Sequence, residues 1–180
     1  KQIIILDKVL FFPSFTIDSS LYFTRMNKDG TARIYKAAFE NGQFKEPELV
    51  PLNVPDSALL FNAFISPQED FIITCALKID SSNVDQDFYI SFKSAGGTWG
   101  KLIKLVPEIN TPGDNANSAY VSPDGKFLFF NSSRKDPLRP EPKGGSTLQS
   151  IIASKKWPGY GASAIYWIDA KIIENLRPKN

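Results

Sequence analysis

Residues Tyr120 to Arg134 read YVSPDGKFLFFNSSR, and this stretch decides the fold class. In Ser122-Pro123-Asp124-Gly125, proline presets a φ of about −65° at the second turn position and aspartate tolerates the third. Glycine accepts the left-handed conformation that sends the chain into the next strand. The apolar run FLFF after Lys126 is too short and too aromatic for a helix, and its lack of alternation implies a strand buried on both faces.

Two weaker copies lie upstream. The first runs PSFTIDSSLYFTR (Pro13 to Arg25) and then IYKAAFENGQFKEP (Ile34 to Pro47); the second runs NAFISPQEDFIITC (Asn62 to Cys75) and then FYISFKSAGGTWGKLIKL (Phe88 to Leu105). The third closes with IYWIDA (Ile165 to Ala170). Each copy is an aromatic residue, a polar turn, a four-residue apolar strand, a variable loop and an aromatic strand with tyrosine second. Phe15, Phe64 and Tyr120 are read as corresponding, at spacings that suit a unit of four short strands. The turn degrades from S-P-D-G to Ser66-Pro67-Gln68-Glu69 and Thr16-Ile17-Asp18-Ser19. ENGQF and GGTW predict an outer hairpin in which Phe44 and Trp99 are packing residues. The expected fold is all-β, with one domain over residues 1–180 divided into units of approximately 8–55, 56–113 and 114–170 and a tail at 171–180. Helix is expected only in the long insertion, at Thr147 to Ser154 with Ser146 as N-cap, and at Ala170 to Leu176.

The chain resembles the WD40-like β-propeller repeats with an S-P-D-G turn, similar to those of the TolB propeller, over roughly residues 9 to 170. S-P-D-G-K-F-L-F-F, S-S-R and I-Y-W-I-D-A carry the resemblance. It implies blades of a six-bladed ring, a periplasmic or extracellular setting in a bacterial envelope, and action through binding. The family brings no universal catalytic residue to transfer. Three blades cannot close a ring that needs at least four. Further blades are therefore expected from upstream sequence or from a second copy in a homodimer, and Gln2 to Leu6 is a candidate closing strand. An irregular β-sandwich or an open solenoid is the competing architecture.

Bulk properties narrow the function. A chain of 180 residues with 42% hydrophobic and 22% charged residues is that of an ordinary globular domain. A net charge of +2 argues against nucleic acid as the main partner. The first apolar run, Ile3 to Leu6, is too short to span a membrane, and a chain beginning at Lys1 is expected to follow something upstream. Histidine is absent, which removes Ser-His-Asp and Cys-His nucleophilic sites and His-ligated zinc. The single cysteine, Cys75, lies in FIITCAL and reads as a buried structural thiol.

Candidate sites fall in the loops between the second and third strands of each unit, where rigid scaffolds usually carry function. The insertion from Arg134 to Ser163 has four prolines, four glycines and a net charge of +4. Arg134, Arg139, Lys143, Lys155 and Lys156 offer charge to a carboxylate or phosphate, and Trp157 and Tyr160 offer flat faces to a sugar or peptide. Asp80, Asp85 and Asp87 are a candidate calcium set without EF-hand spacing, with solvated loop carboxylates as the alternative. No other cofactor is expected. The leading expectation is a noncatalytic module for a protein, peptide or glycan ligand. The alternative is a carbohydrate-active lyase or hydrolase using carboxylate, lysine or tyrosine groups in a channel.

Overall fold

The computed structural model describes residues 10–79, 85–134, 147–154 and 163–179. They form three larger antiparallel sheets and one separate two-stranded hairpin. In the first, β1 (Leu10–Phe15), β2 (Leu21–Met26) and β3 (Ala32–Ala37) run in order; β4 (Phe39–Glu40) and β5 (Gln43–Phe44) make a small outer hairpin, and β6 (Glu48–Leu49) returns to pair with β3. The second holds β7 (Leu59–Ile65), β8 (Phe71–Leu77), β9 (Asp87–Phe92) and β10 (Ile103–Lys104) in sequence order. The third holds β11 (Ala119–Val121), β12 (Phe127–Ser132) and β13 (Ala164–Asp169), with helix α1 (Leu148–Ser154) between the last two and α2 (Lys171–Leu176) after them. Among the described residues no helix is long and apolar enough to cross a membrane.

Each turn between the first two strands places its fourth residue in the left-handed region: Gly125 at φ 71°, Glu69 at 59° and Ser19 at 69°. The amide of that residue donates to the carbonyl of the first turn residue at 2.8, 2.9 and 3.0 Å respectively. Backbone geometry therefore survives where glycine does not. A hydroxyl at the first turn position bonds to a nearby aspartate in all three: Ser122 to Asp124 (2.6 Å), Ser66 to Asp70 (2.6 Å) and Thr16 to Asp18. These turns correct the alignment read from the aromatics. Thr16, Ser66 and Ser122 open the turns, so Ser14, rather than Phe15, stands with Phe64 and Tyr120, opposite Tyr22, Ile73 and Phe129. Turn hydrogen bonds fix the register, while any residue facing the right side can occupy the strand position.

The sheets stack face on face. Between the first and second lie Tyr22, Ile34, Leu60, Ile65, Ile72 and Tyr89; between the second and third lie Phe64, Ile73, Phe88, Ile90, Leu128 and Phe130, joined by Ile173 of α2. Trp99 is buried in the first of these layers, and Phe44 packs edge-on against Phe39 at 4.9 Å on the outer side of the first sheet. The N-cap of α1 differs from the sequence reading. The Thr147 hydroxyl accepts from the Ser150 amide at 3.1 Å while the Ser150 hydroxyl accepts from the Thr147 amide at 2.8 Å, so Thr147 is the capping residue. Ser146 lies outside the described residues.

Cys75 is completely buried, and burial pushes its thiol well above the usual range. Native protein is expected to resist a thiol reagent for as long as it stays folded, and to react with one equivalent in denaturant. Rapid native labelling would show that strand β8 opens.

Candidate functional site

The first strand of each sheet is an edge strand, and β7 lies beside both β1 and β11. The three edges and the turns that follow them enclose a groove of about 1010 Å³, with α2 at one side. Sequence reasoning placed function on the loops after the second strands; it gave no reason to single out this surface. The groove's rings are Phe12, Phe15 and Tyr120, exposed by 39%, 54% and 52%, over a floor of Asn62 to Ile65. Tyr120 meets Phe64 edge-on at 5.4 Å.

Two β-bulges shape the wall. Register breaks between Phe11 and Ser14 and between Phe61 and Phe64, and Phe12 and Asn62 each sit at φ 54° inside the breaks. A non-glycine residue there carries backbone strain of roughly 1 kcal/mol or more, which the neighbouring contacts hold. The Asn62 amide donates to the Thr24 hydroxyl at 2.9 Å, and its side-chain nitrogen donates to Asn117. The Ile65 amide donates to the Ser14 hydroxyl at 3.0 Å. Hydroxyls of the first sheet thereby satisfy edge amides of the second, which a close approach of two sheet edges requires.

Four charged side chains line the groove: Asp70, Asp124, Lys171 and Glu174. Each carboxylate is engaged. Arg177 donates to Asp70 at 2.8 Å and to both oxygens of Glu174 at 2.8 and 2.9 Å. Asp124 accepts from the Ser122 hydroxyl and the Lys126 amide within its own turn. The Arg177 hydrogen bonds hold Glu174 below the ordinary carboxylate range, and the Ser122 hydroxyl does the same for Asp124. That direction suits a resident anion and opposes a general acid at neutral pH.

Glu69, beside the groove, is held by three side-chain donors. It accepts from Lys36 at 2.8 Å, from Lys93 at 2.6 Å and from the Tyr22 hydroxyl at 2.5 Å, with its side chain 16% exposed. Burial raises its pKa, but the donors from Lys36, Lys93 and Tyr22 outweigh that and leave it lowered. Burial, followed by the Glu69 hydrogen bond, pushes the Tyr22 phenol far up.

Of the candidates on the insertion, Arg134 is described. Its Nη1 and Nη2 donate to the carbonyls of Glu108 and Ile109 at 2.7 and 2.8 Å, and its Nε donates to the Ser132 hydroxyl at 2.6 Å. The guanidinium also lies over the Tyr166 ring at 4.8 Å and approaches Asp114 at 3.9 Å. In this arrangement it ties the segment after β10 to the third sheet. Arg139, Lys143, Lys155, Lys156, Trp157 and Tyr160 lie outside the described residues, as does Asp80. Asp87 is buried on β9 with Lys104 Nζ at 2.6 Å, while Asp85 accepts from the Gly113 amide at 3.3 Å. Calcium at Asp87 would have to displace Lys104. Among the described residues no three His, Cys, Asp or Glu side chains converge as a metal site would require.

No protein-family model matches the chain, and no curated protein matches it. Among solved structures, a post-proline cleaving enzyme from Rickettsia typhi is similar over 74% of this chain, with 17% sequence identity and a TM-score of 0.38. This chain spans 18% of that structure's length.

Proposed function

We propose that the chain is a three-blade arc of a β-propeller-type module, set in the periplasm or outside the cell, that binds an extended ligand in the groove without performing chemistry on it. The observation that carries the binding role is the groove's lining: exposed aromatic rings, hydroxyls and amides, and carboxylates that are all engaged within the protein. Rings with neighbouring hydrogen-bonding groups suit apolar side chains along a peptide, and a peptide or protein segment is the ligand this reading favours. A glycan is the second outcome of the same screen. The propeller architecture is supported by the repeated strand order, by face-on-face stacking and by the side-by-side placement of first strands. The extracytoplasmic setting rests on the S-P-D-G repeat resemblance alone. A carbohydrate-active enzyme would need a carboxylate free to exchange a proton, and Asp70, Asp124 and Glu174 are each held by a partner.

The test is Phe12→Gly, screened against a displayed peptide library and a glycan array. Glycine takes φ 54° without strain, so stability should change by no more than about 1 kcal/mol, while loss of the ring weakens a captured ligand roughly ten-fold. Full binding by Phe12→Gly, together with loss in the Lys155→Glu, Lys156→Glu double variant, would move the site to the insertion.

A further inference from the structure

The first strands of all three sheets border one groove, but their free edges are not alike. In β1 the pairing shifts between Phe11 and Ser14, Phe12 is turned to φ 54°, and Pro13 has no amide hydrogen to offer. In β7 the pairing shifts between Phe61 and Phe64, and the amides of Asn62 and Ile65 are taken by the hydroxyls of Thr24 and Ser14. Bulges, proline and side chains that cover edge amides keep a sheet edge from pairing with another chain. β11 has none of these. Its register with β12 runs without a shift from Ala119 opposite Phe130 to Val121 opposite Leu128, and its side chains carry no charge.

The bonds at the two ends of β11 fix where its backbone groups point. The Asn131 amide donates to the Ser118 carbonyl at 3.1 Å, and the Ser122 amide donates to the Phe127 carbonyl at 2.9 Å. In an antiparallel ladder, hydrogen-bonded pairs alternate with pairs whose N–H and C=O point away from the partner strand. Tyr120 therefore bonds to Phe129, while Ala119 and Val121 turn N–H and C=O away from β12. Both residues line the groove, and no hydrogen bond from the described residues reaches those outward groups. One step back along the same row, the Asn117 carbonyl accepts from the Asn62 side-chain nitrogen, as it would from the amide of an added strand. Asn62 is 6% exposed and its Oδ1 has no partner among the described residues, so the head of the row lacks a donor.

A further sheet at either end of the stack would pack on a face, as these three do on one another, and would leave the β11 edge on the groove. What pairs with this edge is therefore a separate matter from how far the stack continues.

We propose that the β11 edge is a strand-addition site, where an extended peptide lies antiparallel to β11 and bonds through its backbone to the N–H and C=O of Ala119 and Val121. The peptide residue opposite Tyr120 then shares a face with that ring, which is 52% exposed and suits an apolar or aromatic side chain. In this mode backbone bonds supply the affinity, and side chains are read at alternate positions only. A glycan has no alternating N–H and C=O at strand spacing and does not match the row. The inference rests on the peptide-binding reading of the groove and adds how the peptide is held.

Hydrogen exchange on the ligand-free chain is the first test. The Ala119 and Val121 amides should exchange at least about 100-fold faster than the Tyr120 amide between them. Random seven-residue displayed peptides are then selected on the wild-type chain, and an enriched peptide is synthesised with single N-methyl groups along its backbone. N-methylation should weaken binding about ten-fold at alternate residues and little between them, and the bound peptide should slow exchange at Ala119 and Val121. Val121→Pro removes one outward amide and should cost at least as much affinity. It should keep its β circular dichroism and protected Cys75 thiol, because an edge strand tolerates proline where the N–H faces outward. The N-methyl series leaves the protein unaltered, so it decides the matter even if Val121→Pro unfolds. Protection of Ala119 and Val121 in the free chain overturns the proposal, since a strand of the chain itself then holds the edge. Peptides that lose affinity for Phe12→Gly, yet bind Val121→Pro like wild type and show no N-methyl periodicity, overturn the edge pairing and leave the groove reading standing. A library from which no peptide is enriched overturns both.

Discussion

Phe88→Ala is expected to destabilise the protein by about 3–5 kcal/mol. Phe88 is 1% exposed at the centre of the layer between the second and third sheets, where its ring meets Phe130 edge-on at 6.3 Å. Removing it costs the transfer energy of the ring and leaves a cavity that two hydrogen-bonded sheets cannot collapse into. The Phe88 amide and carbonyl stay bonded to the Asn110 side chain, so the strand keeps its place and the loss is one of packing. Denaturant unfolding with an unchanged m-value checks it, and a loss under 1 kcal/mol would mean that the two sheets do not share a core. Phe88→Leu, which fills much of the space, should recover about half.

Glu69→Ala is the second large effect, a loss of about 2–3 kcal/mol. The substitution leaves the Lys36 and Lys93 ammonium groups, side chains 29% and 24% exposed, facing one another without their shared carboxylate, and takes the partner from the Tyr22 hydroxyl. Adjacent residues of one turn do two jobs: Glu69 holds the first sheet through Tyr22 and Lys36, and Asp70 holds Arg177 at the end of α2, over the Phe92 ring of the second sheet. Glu69→Gly should be less harmful than Glu69→Ala by about 1 kcal/mol, because position 69 sits at φ 59° and glycine removes that strain. Equal losses would mean that the turn relaxes when the carboxylate is gone. The pH dependence has a definite sign. Glu69 has a lower pKa folded than unfolded, so the unfolded chain binds the proton first as the solution is acidified. Its stabilisation is full above the ordinary glutamate range and is lost as pH falls through that range toward the folded value. Glu69→Gln should flatten that acid limb while lowering stability at neutral pH.

How much was legible depended on whether a feature is local. The S-P-D-G turn was legible because its chemistry is complete in four residues, and the structure builds it with the Ser122 hydroxyl, the Asp124 carboxylate and Gly125 at positive φ. Burial of Cys75 followed from an apolar run with no polar alternation. ENGQF predicted an outer hairpin, and β4 and β5 pair there with Asn41 and Gly42 both at positive φ. The degraded turns were harder to read, because Glu69 and Ser19 are not residues that announce a left-handed conformation. Glu69 is held there by Tyr22, Lys36 and Lys93, whose positions along the chain say nothing of their meeting.

The sequence by itself determined a mostly β chain, the turns between the first two strands of each sheet, a buried thiol and, among the described residues, helix confined to the insertion and the tail. Those features depend on neighbours a few residues away and on a two-residue period. Only the tertiary structure decided which strand edges converge on a groove, that Phe12 and Tyr120 share it, that Arg134 is tied to the carbonyls of Glu108 and Ile109, and that the face of Trp167 stays open. Each of these joins residues tens of positions apart, and what brings them together is the stacking of whole sheets, a sum of many weak apolar contacts that no single motif encodes.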